Sequence, residues 1–362
     1  MRLLMVYWQV ESAGSAQDIR GYSAAARALG HELLFFAQQD TWVRQRYEFD
    51  LDRVDALIFV CEWNIYWRSA GDLELVRLLA KVPRRRRVVL DCDGMYADAL
   101  NIDGDFNHPD AAASAKRVGI FDGLADKIYQ PALKPERPNV GAFLFHGYDP
   151  AWEQPLTSTE YRVPSTEYRG GKPYGMVYVG NNWFRWQALR RVLSAMEPIR
   201  DRVGRSALVG RWWDDRGEQV DPALRRVACQ TDPAYLARLG VELLPPVPVE
   251  QVIATMGEGV FNPVLIRPLF EHLGLVTCRT FETPAANTIP LFAQRPEYVR
   301  AIYGDAALPL VLAEGAAATE QIADVLANPG RYAALVRATR AHLARHHSYT
   351  ARLKELLEIV AA

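Results

Sequence analysis

Strand-like apolar runs alternate with helical stretches from one end of the chain to the other, and this rhythm limits the fold more than any other feature. In the first half the runs are "LLMVYW" (3–8), "ELLFFA" (32–37), "VDALIFV" (54–60), "RVVLDCD" (87–93), "KIYQ" (127–130) and "GAFLFHG" (141–147). Helical patterns such as 16–29 and 69–81 lie between them. The second half repeats the rhythm with "MVYVG" (176–180), "SALVG" (206–210), "VELL" (241–244), "GVFNP" (259–263), "TIPLFA" (288–293) and "LPLVLA" (308–313). Strands that are apolar throughout, with helices between them, predict parallel sheets covered on both faces. The polar stretch "YDPAWEQPLTSTEYRVPSTEYRGGKPYG" (148–175) reads as a linker. The expectation is an α/β protein of two doubly wound, Rossmann-like domains facing across a cleft, with limits at 1–165 and 175–345. Helices are expected at 315–327, 329–345 and 348–360. In the last, Leu353, Leu356, Leu357 and Val360 recur at helical spacing. Residues 346–362 are therefore expected to cross back onto the first domain.

Composition removes several classes of function. A chain of 362 residues that is 49% hydrophobic can build two ordinary cores. The net charge is −1, so there is no basic field for a polyanion, and nucleic acid is not expected as a partner. No apolar run approaches the roughly eighteen residues of a membrane span. The start, "MRLLMVYWQVESAG", reads as a first strand rather than a signal peptide. Cys61, Cys92, Cys229 and Cys278 lie far apart with no CxxC pair, which fits reduced thiols in a cytoplasmic monomer or homodimer.

Open parallel sheets bind ligands at the carboxyl ends of their strands, and that rule ranks the loops. In "VYVGNNWFRWQALRR", Gly180, Asn181 and Asn182 precede a helix whose backbone N–H groups would meet an anion, with Arg185 in its first turn. A turn with an N-cap accounts for the same residues. In "GVFNPVLIRPLFEHLG", Asn262 follows a strand and Arg267 lies in a Pro-bounded loop, placed to clamp a diphosphate or to be an ordinary surface arginine. In "CRTFETPAANTIPLF", Glu282 near a helix N-terminus suits the dipole and is also able to accept from the vicinal hydroxyls of a ribose, beside Arg279 and Thr280. In the first half, Asp91 and Asp93 form a D-x-D that either caps a turn, binds a metal or holds acceptor hydroxyls, with Asp93 the candidate base. Asp18, Glu62 and Trp63 are the candidate acceptor contacts, and His146 beside the linker is a candidate catalytic group. After the first strand there is no G-x-G-x-x-G, which argues against a dinucleotide cofactor.

"RTFETPAANTIPLF", with the closing stretch from "EYVRAIYG" to "HHSYTARLKELL", resembles the C-terminal half of GT-B-fold glycosyltransferases of the glycosyl transferases group 1 type, and within them the CgeB-like branch. Arg279, Phe281, Glu282 and Ala285 match an R-x-F-E-x-x-A-x-G pattern that binds the donor nucleotide in that branch. Asn328, Pro329, His347, Tyr349 and Arg352 match its closing pattern. Asn287 stands where the pattern has glycine, as a candidate left-handed cap, and Gly274 where related proteins often carry a second glutamate. The resemblance implies transfer of a sugar from a nucleoside-diphosphate sugar to an acceptor, without a metal or other cofactor, in the interdomain cleft. Glu282 would hold the ribose, while Arg279 and Arg267 would neutralise the departing diphosphate. A nucleotide-sugar epimerase or hydrolase on the same architecture, or a non-catalytic nucleotide-sugar-binding protein, are the rivals.

Overall fold

The computed structural model describes residues 1–8, 15–38, 51–61, 80–97, 119, 121–156, 171–214 and 226–362. Of the expected site residues, Glu62 and Trp63 lie outside these, as do most of the expected helix 69–81 and residues 157–170 of the linker.

The first half builds a six-stranded parallel sheet in the order β2-β1-β3-β4-β5-β6. Its strands are β1 (Arg2–Trp8), β2 (Glu32–Gln38), β3 (Ala56–Cys61), β4 (Arg87–Asp91), β5 (Lys127–Gln130) and β6 (Val140–Ala142). The second half builds a five-stranded parallel sheet in the order β11-β10-β7-β8-β9. Those strands are β7 (Tyr174–Val179), β8 (Ser206–Val209), β9 (Val241–Leu244), β10 (Gly259–Val264) and β11 (Ile289–Phe292). Every residue of β3, β7 and β10 is buried, as unbroken apolar runs covered by helices on both faces require. Strand order reverses between β1 and β3 in one sheet and between β7 and β10 in the other, so each half has one crevice at its strand ends.

Two expected strands are shorter than their apolar content suggests. Residues 305–310 form a 3-10 helix, and only Val311 bridges β11, because Pro309 has no N–H to give to a ladder. After β6 the chain leaves the sheet, and it is next held at Tyr148 by a bridge to Ser348.

Six helices position the site: α1 (Ser15–Ala28), α2 (Trp186–Met196), α3 (Pro268–Leu273), α4 (Cys278–Ala285), α5 (Pro329–His346) and α6 (Tyr349–Ala361). Helix α6 starts at Ser348, whose hydroxyl accepts from the Ala351 N–H. Its Leu353 and Leu356 are fully buried among Leu3, Tyr22 and Phe145, so the chain does cross back onto the first half. A second joint was not expected. Leu269 and Leu273 of α3 pack with Met95, Tyr96 and Phe121 in the first half's core. Beside them Ala132 bridges Leu275, with Leu133 N–H donating to Gly274 O at 3.0 Å and Val276 N–H to Pro131 O at 2.7 Å. The halves therefore touch through core packing as well as through the linker.

Candidate functional site

The end of β7 is the hub. Helix α4 begins at Thr277, which shares a reciprocal cap with Thr280, and this fixes the first turn just beyond β10. From that turn Arg279 reaches back, its Nε donating to Val179 O at 3.0 Å. One turn on, Glu282 pairs with Arg279 through Oε2 and is 2% exposed. The pair thus stands where the second sheet's strand order reverses, at the crevice that such sheets use for ligands. Thr280 and Phe281, expected to touch the donor, do not share this position. Thr280 is spent on the cap and lies near the Tyr298 hydroxyl, while the fully buried Phe281 ring packs beside His347.

Helix α4 also ends differently from the expectation. Asn287 is not left-handed; Ala286 leaves the helix in extended conformation and the Asn287 N–H donates to Gln154 Oε1 at 2.7 Å. Gly274 does take a left-handed conformation, with φ 63 and ψ 36, and caps α3. A glutamate at that position would be strained, which is the local reason for glycine there.

The loop after β7 is not the open row of N–H donors that its glycine and asparagines suggest. Gly180 N–H donates to Val209 O, Asn182 N–H to Arg211 O, Trp183 N–H to Asn181 O and Phe184 N–H to Ala228 O. Asn182 is fully buried, and its amide braces Trp212 O at 2.9 Å and Gln230 O at 2.6 Å. Arg185 precedes α2, and its guanidinium returns to Asn181 O at 3.1 Å. Asn262 lies inside β10 rather than after it and is 1% exposed. Both asparagines are thus buried, and the Asn182 amide is spent on the neighbouring loops.

Arg267 caps α3 at the opposite side of the crevice. It is 7% exposed, lies 3.8 Å over the Phe270 ring, and its Nη2 donates to Asp93 O at 3.3 Å. That contact brings two expected catalytic residues together from different halves. Asp91 does not join them. Its carboxylate accepts from Met95 N–H at 2.9 Å, Tyr96 N–H at 2.8 Å and Gln130 Nε2 at 2.8 Å, so it builds the turn that presents Asp93. Burial lifts its pKa to about 6 in spite of those bonds. Among the described residues no three His, Cys, Asp or Glu side chains gather as a metal site.

Asp18 and His146, expected to face an acceptor and the chemistry, are both buried and bonded to one another at 2.8 Å. The other Asp18 oxygen accepts from the Tyr349 hydroxyl at 2.8 Å. The expectation that Asp18 holds an acceptor gives way to a fastening role, since both oxygens serve the joint between α1, the segment after β6 and α6. His347 sits at the same joint, and burial pushes its pKa down to about 3. Arg340 and Gln154 escaped sequence reasoning altogether. Arg340 is 5% exposed, and its guanidinium donates to Pro284 O, Ala285 O and Ala286 O at the end of α4 and to Gln154 O in the linker. The one available signal was the end of α4 just past Pro284, where the last carbonyls have no donor within the helix.

Residues 187–358 match a family model described as glycosyl transferase-like. No curated protein sequence matches the chain. Among solved structures, an alpha-glucosyltransferase in complex with UDP and a 13-mer DNA has a TM-score of 0.64 at 12% identity, with 100% of both chains covered. WaaG, a glycosyltransferase involved in lipopolysaccharide biosynthesis, has a TM-score of 0.56 at 16% identity, again over 100% of both chains. A T4 phage BGT mutant in complex with UDP-glucose has a TM-score of 0.56 at 10% identity over 99% of each chain. The chain has the two-domain fold of the GT-B glycosyltransferases, and its residues 187–358 are glycosyl transferase-like in sequence, in keeping with the enzyme class read from its residues, a glycosyltransferase.

Proposed function

We propose that the chain moves a sugar from a nucleoside-diphosphate sugar to an acceptor in the cleft between its halves. The observation that carries this is the Arg279–Glu282 pair at the end of β7, beside the point where strand order reverses. In this reading Glu282 accepts from the ribose hydroxyls. Arg279 and Arg267 balance the diphosphate as it leaves, with Arg185 before α2 completing the phosphate side and Gly180 and Asn181 lining the loop beside it. Asp93, held beside Arg267, contacts the acceptor hydroxyl or takes its proton. Residues 1–165 form the acceptor domain and 175–345 the donor domain, while 346–362 lock them together. The two arginines do the charge work of a divalent ion, so the reaction is metal-independent. UDP is the first nucleotide to try, because fold neighbours were solved with UDP or UDP-glucose. The DNA in one neighbour is that protein's; a net charge of −1 favours an acceptor other than nucleic acid here. The CgeB-like branch is part of the same reading.

Titration calorimetry with UDP, GDP and dTDP, then donor turnover with and without EDTA, tests it. Nucleotide binding and EDTA-resistant transfer are expected, and a chain that binds none of the three refutes the proposal. If EDTA abolishes turnover and manganese restores it, the arginines lose the role given to them. The commitment of Asp18 and His146 to packing favours a second reading, a nucleotide-sugar hydrolase. Donor consumption without any acceptor would identify that activity.

A further inference from the structure

We infer that Trp183 and Trp212 form an aromatic ledge that stacks on the base of the donor nucleotide. The inference rests on the glycosyltransferase reading and extends it to the side chains that grip the base.

Phe184 with φ 54 and Trp212 with φ 67 are the non-glycine residues of positive φ among the described residues. Bulky side chains avoid that region, and a fold that holds them there must enforce it from outside, which happens most at ligand sites. The enforcement is visible. Asn182 pins Trp212 O, Asn181 Oδ1 accepts from Arg211 N–H at 2.9 Å, and Ala228 O holds Phe184 N–H. Next to Trp212, the buried Trp213 locks the loop with its Nε1 on Gly180 O at 2.8 Å. The network turns one tryptophan inward as a bolt and leaves its neighbour half-buried. Trp212 and Trp183 then meet at 5.3 Å between ring centroids and 48° between planes, and Phe184 meets Trp183 edge-on at 5.7 Å.

Position supplies the ligand. Val179 O receives Arg279, the partner of Glu282, and the next carbonyl, Gly180 O, receives Trp213. Two consecutive carbonyls at the end of β7 thus carry the ribose-and-diphosphate side and the aromatic loops. A nucleoside diphosphate needs an acid for its hydroxyls, cations for its phosphates and a flat apolar face for its base; the Arg279–Glu282 pair and the loop that carries the ledge are anchored on these neighbouring carbonyls. Aromatic stacking on a base is tolerant of base identity, so the ledge is expected to bind several nucleotides in order of stacking strength.

The experiment compares UDP with inorganic diphosphate, by calorimetry and by quenching of tryptophan fluorescence, in the native chain and in Trp183→Ala and Trp212→Gly. Each substitution is expected to weaken UDP roughly ten- to hundred-fold, from the usual strength of base stacking, and to leave diphosphate binding unchanged. Trp212→Gly is also expected to keep or raise Tm, because glycine adopts φ 67 without strain. Unchanged UDP affinity in both variants overturns the ledge and leaves the glycosyltransferase reading standing. A native chain that binds diphosphate and no nucleotide overturns it too. If the native chain binds neither probe, nor GDP nor dTDP, both readings fall.

Discussion

Glu282 and Arg340 sit on one helix and its support, and they separate ligand contact from positioning. Glu282→Gln keeps the side chain's shape but removes the counter-charge of Arg279, so a moderate fall in Tm is expected while UDP binding weakens by about 1.5–3 kcal/mol, the value of a hydrogen bond to a charged group. Calorimetry that finds native affinity would remove Glu282 from the ribose. Arg340→Met should act the other way round. It leaves four carbonyls without their donor, and a loss of about 3 kcal/mol in stability is expected from such a buried network. Nucleotide affinity should fall with it, because the end of α4 is no longer held, and Arg340→Lys should recover little since one ammonium does not span that fork. Denaturation curves showing Arg340→Met as stable as the native chain would contradict this. Sequence made Arg279, Glu282 and Arg267 legible because each stands at a strand end or helix start, where local rules apply. Arg340 was hidden among the arginines of "VRATRAHLARHH", since only tertiary packing distinguishes its buried guanidinium from an exposed one.

At the scale of elements, the docking of α6 depends on two glycines that the sequence did not single out. Tyr349 enters a slot between Gly21 of α1 and Gly147, where its ring meets Tyr22 at 5.4 Å and Trp152 at 5.9 Å. A Cβ at Gly147 would lie 2.7 Å from Tyr349 Cδ1, too close for any real pair. Neither glycine has a positive φ, so alanine there tests packing rather than backbone strain. Gly147→Ala is expected to cost about 1–3 kcal/mol by displacing the ring and its bond to Asp18. Thermal unfolding with an unchanged midpoint would show that the slot has slack. The elements themselves were legible wherever an apolar run was continuous, and they failed where one residue vetoed the pattern, as Pro309 does. The loop after β7 failed for another reason. Its N–H groups looked free because their acceptors, Val209 O, Arg211 O and Ala228 O, come from strands and loops distant in sequence.

For the whole molecule, two buried groups set opposing responses to acid. His347 titrates near 6.5 unfolded and about 3 folded, so the unfolded chain binds more protons in that window and stability falls as pH drops below 6.5. Asp91 moves from an ordinary 3.8 to about 6, so the folded chain binds more protons there and stability rises as pH drops through the same range. Between about pH 4 and 6 the two nearly cancel, and a His347→Gln variant should unmask Asp91 by becoming more stable relative to neutral pH. Urea midpoints that fall toward pH 4 in that variant would exclude the cancellation. Among the described residues the joints between the halves include α3 in the first core, the Tyr148–Ser348 bridge, and α6 against α1. Removing residues 348–362 deletes the last two and keeps the first. The first sheet then loses Tyr349, Leu353 and Leu356 from its core, while the end of β7 keeps Arg279 and Glu282 and the start of α3 keeps Arg267. Amides of β1 and α1 are therefore expected to lose hydrogen-exchange protection, and those of β7 and β10 to keep it. UDP added to the full chain should slow exchange at 93–96 as well as at 265–282, since Arg267 and Asp93 meet across the cleft. Protection confined to 175–345 would mean that the donor half binds alone and that the contact between Arg267 and Asp93 is packing without catalytic consequence.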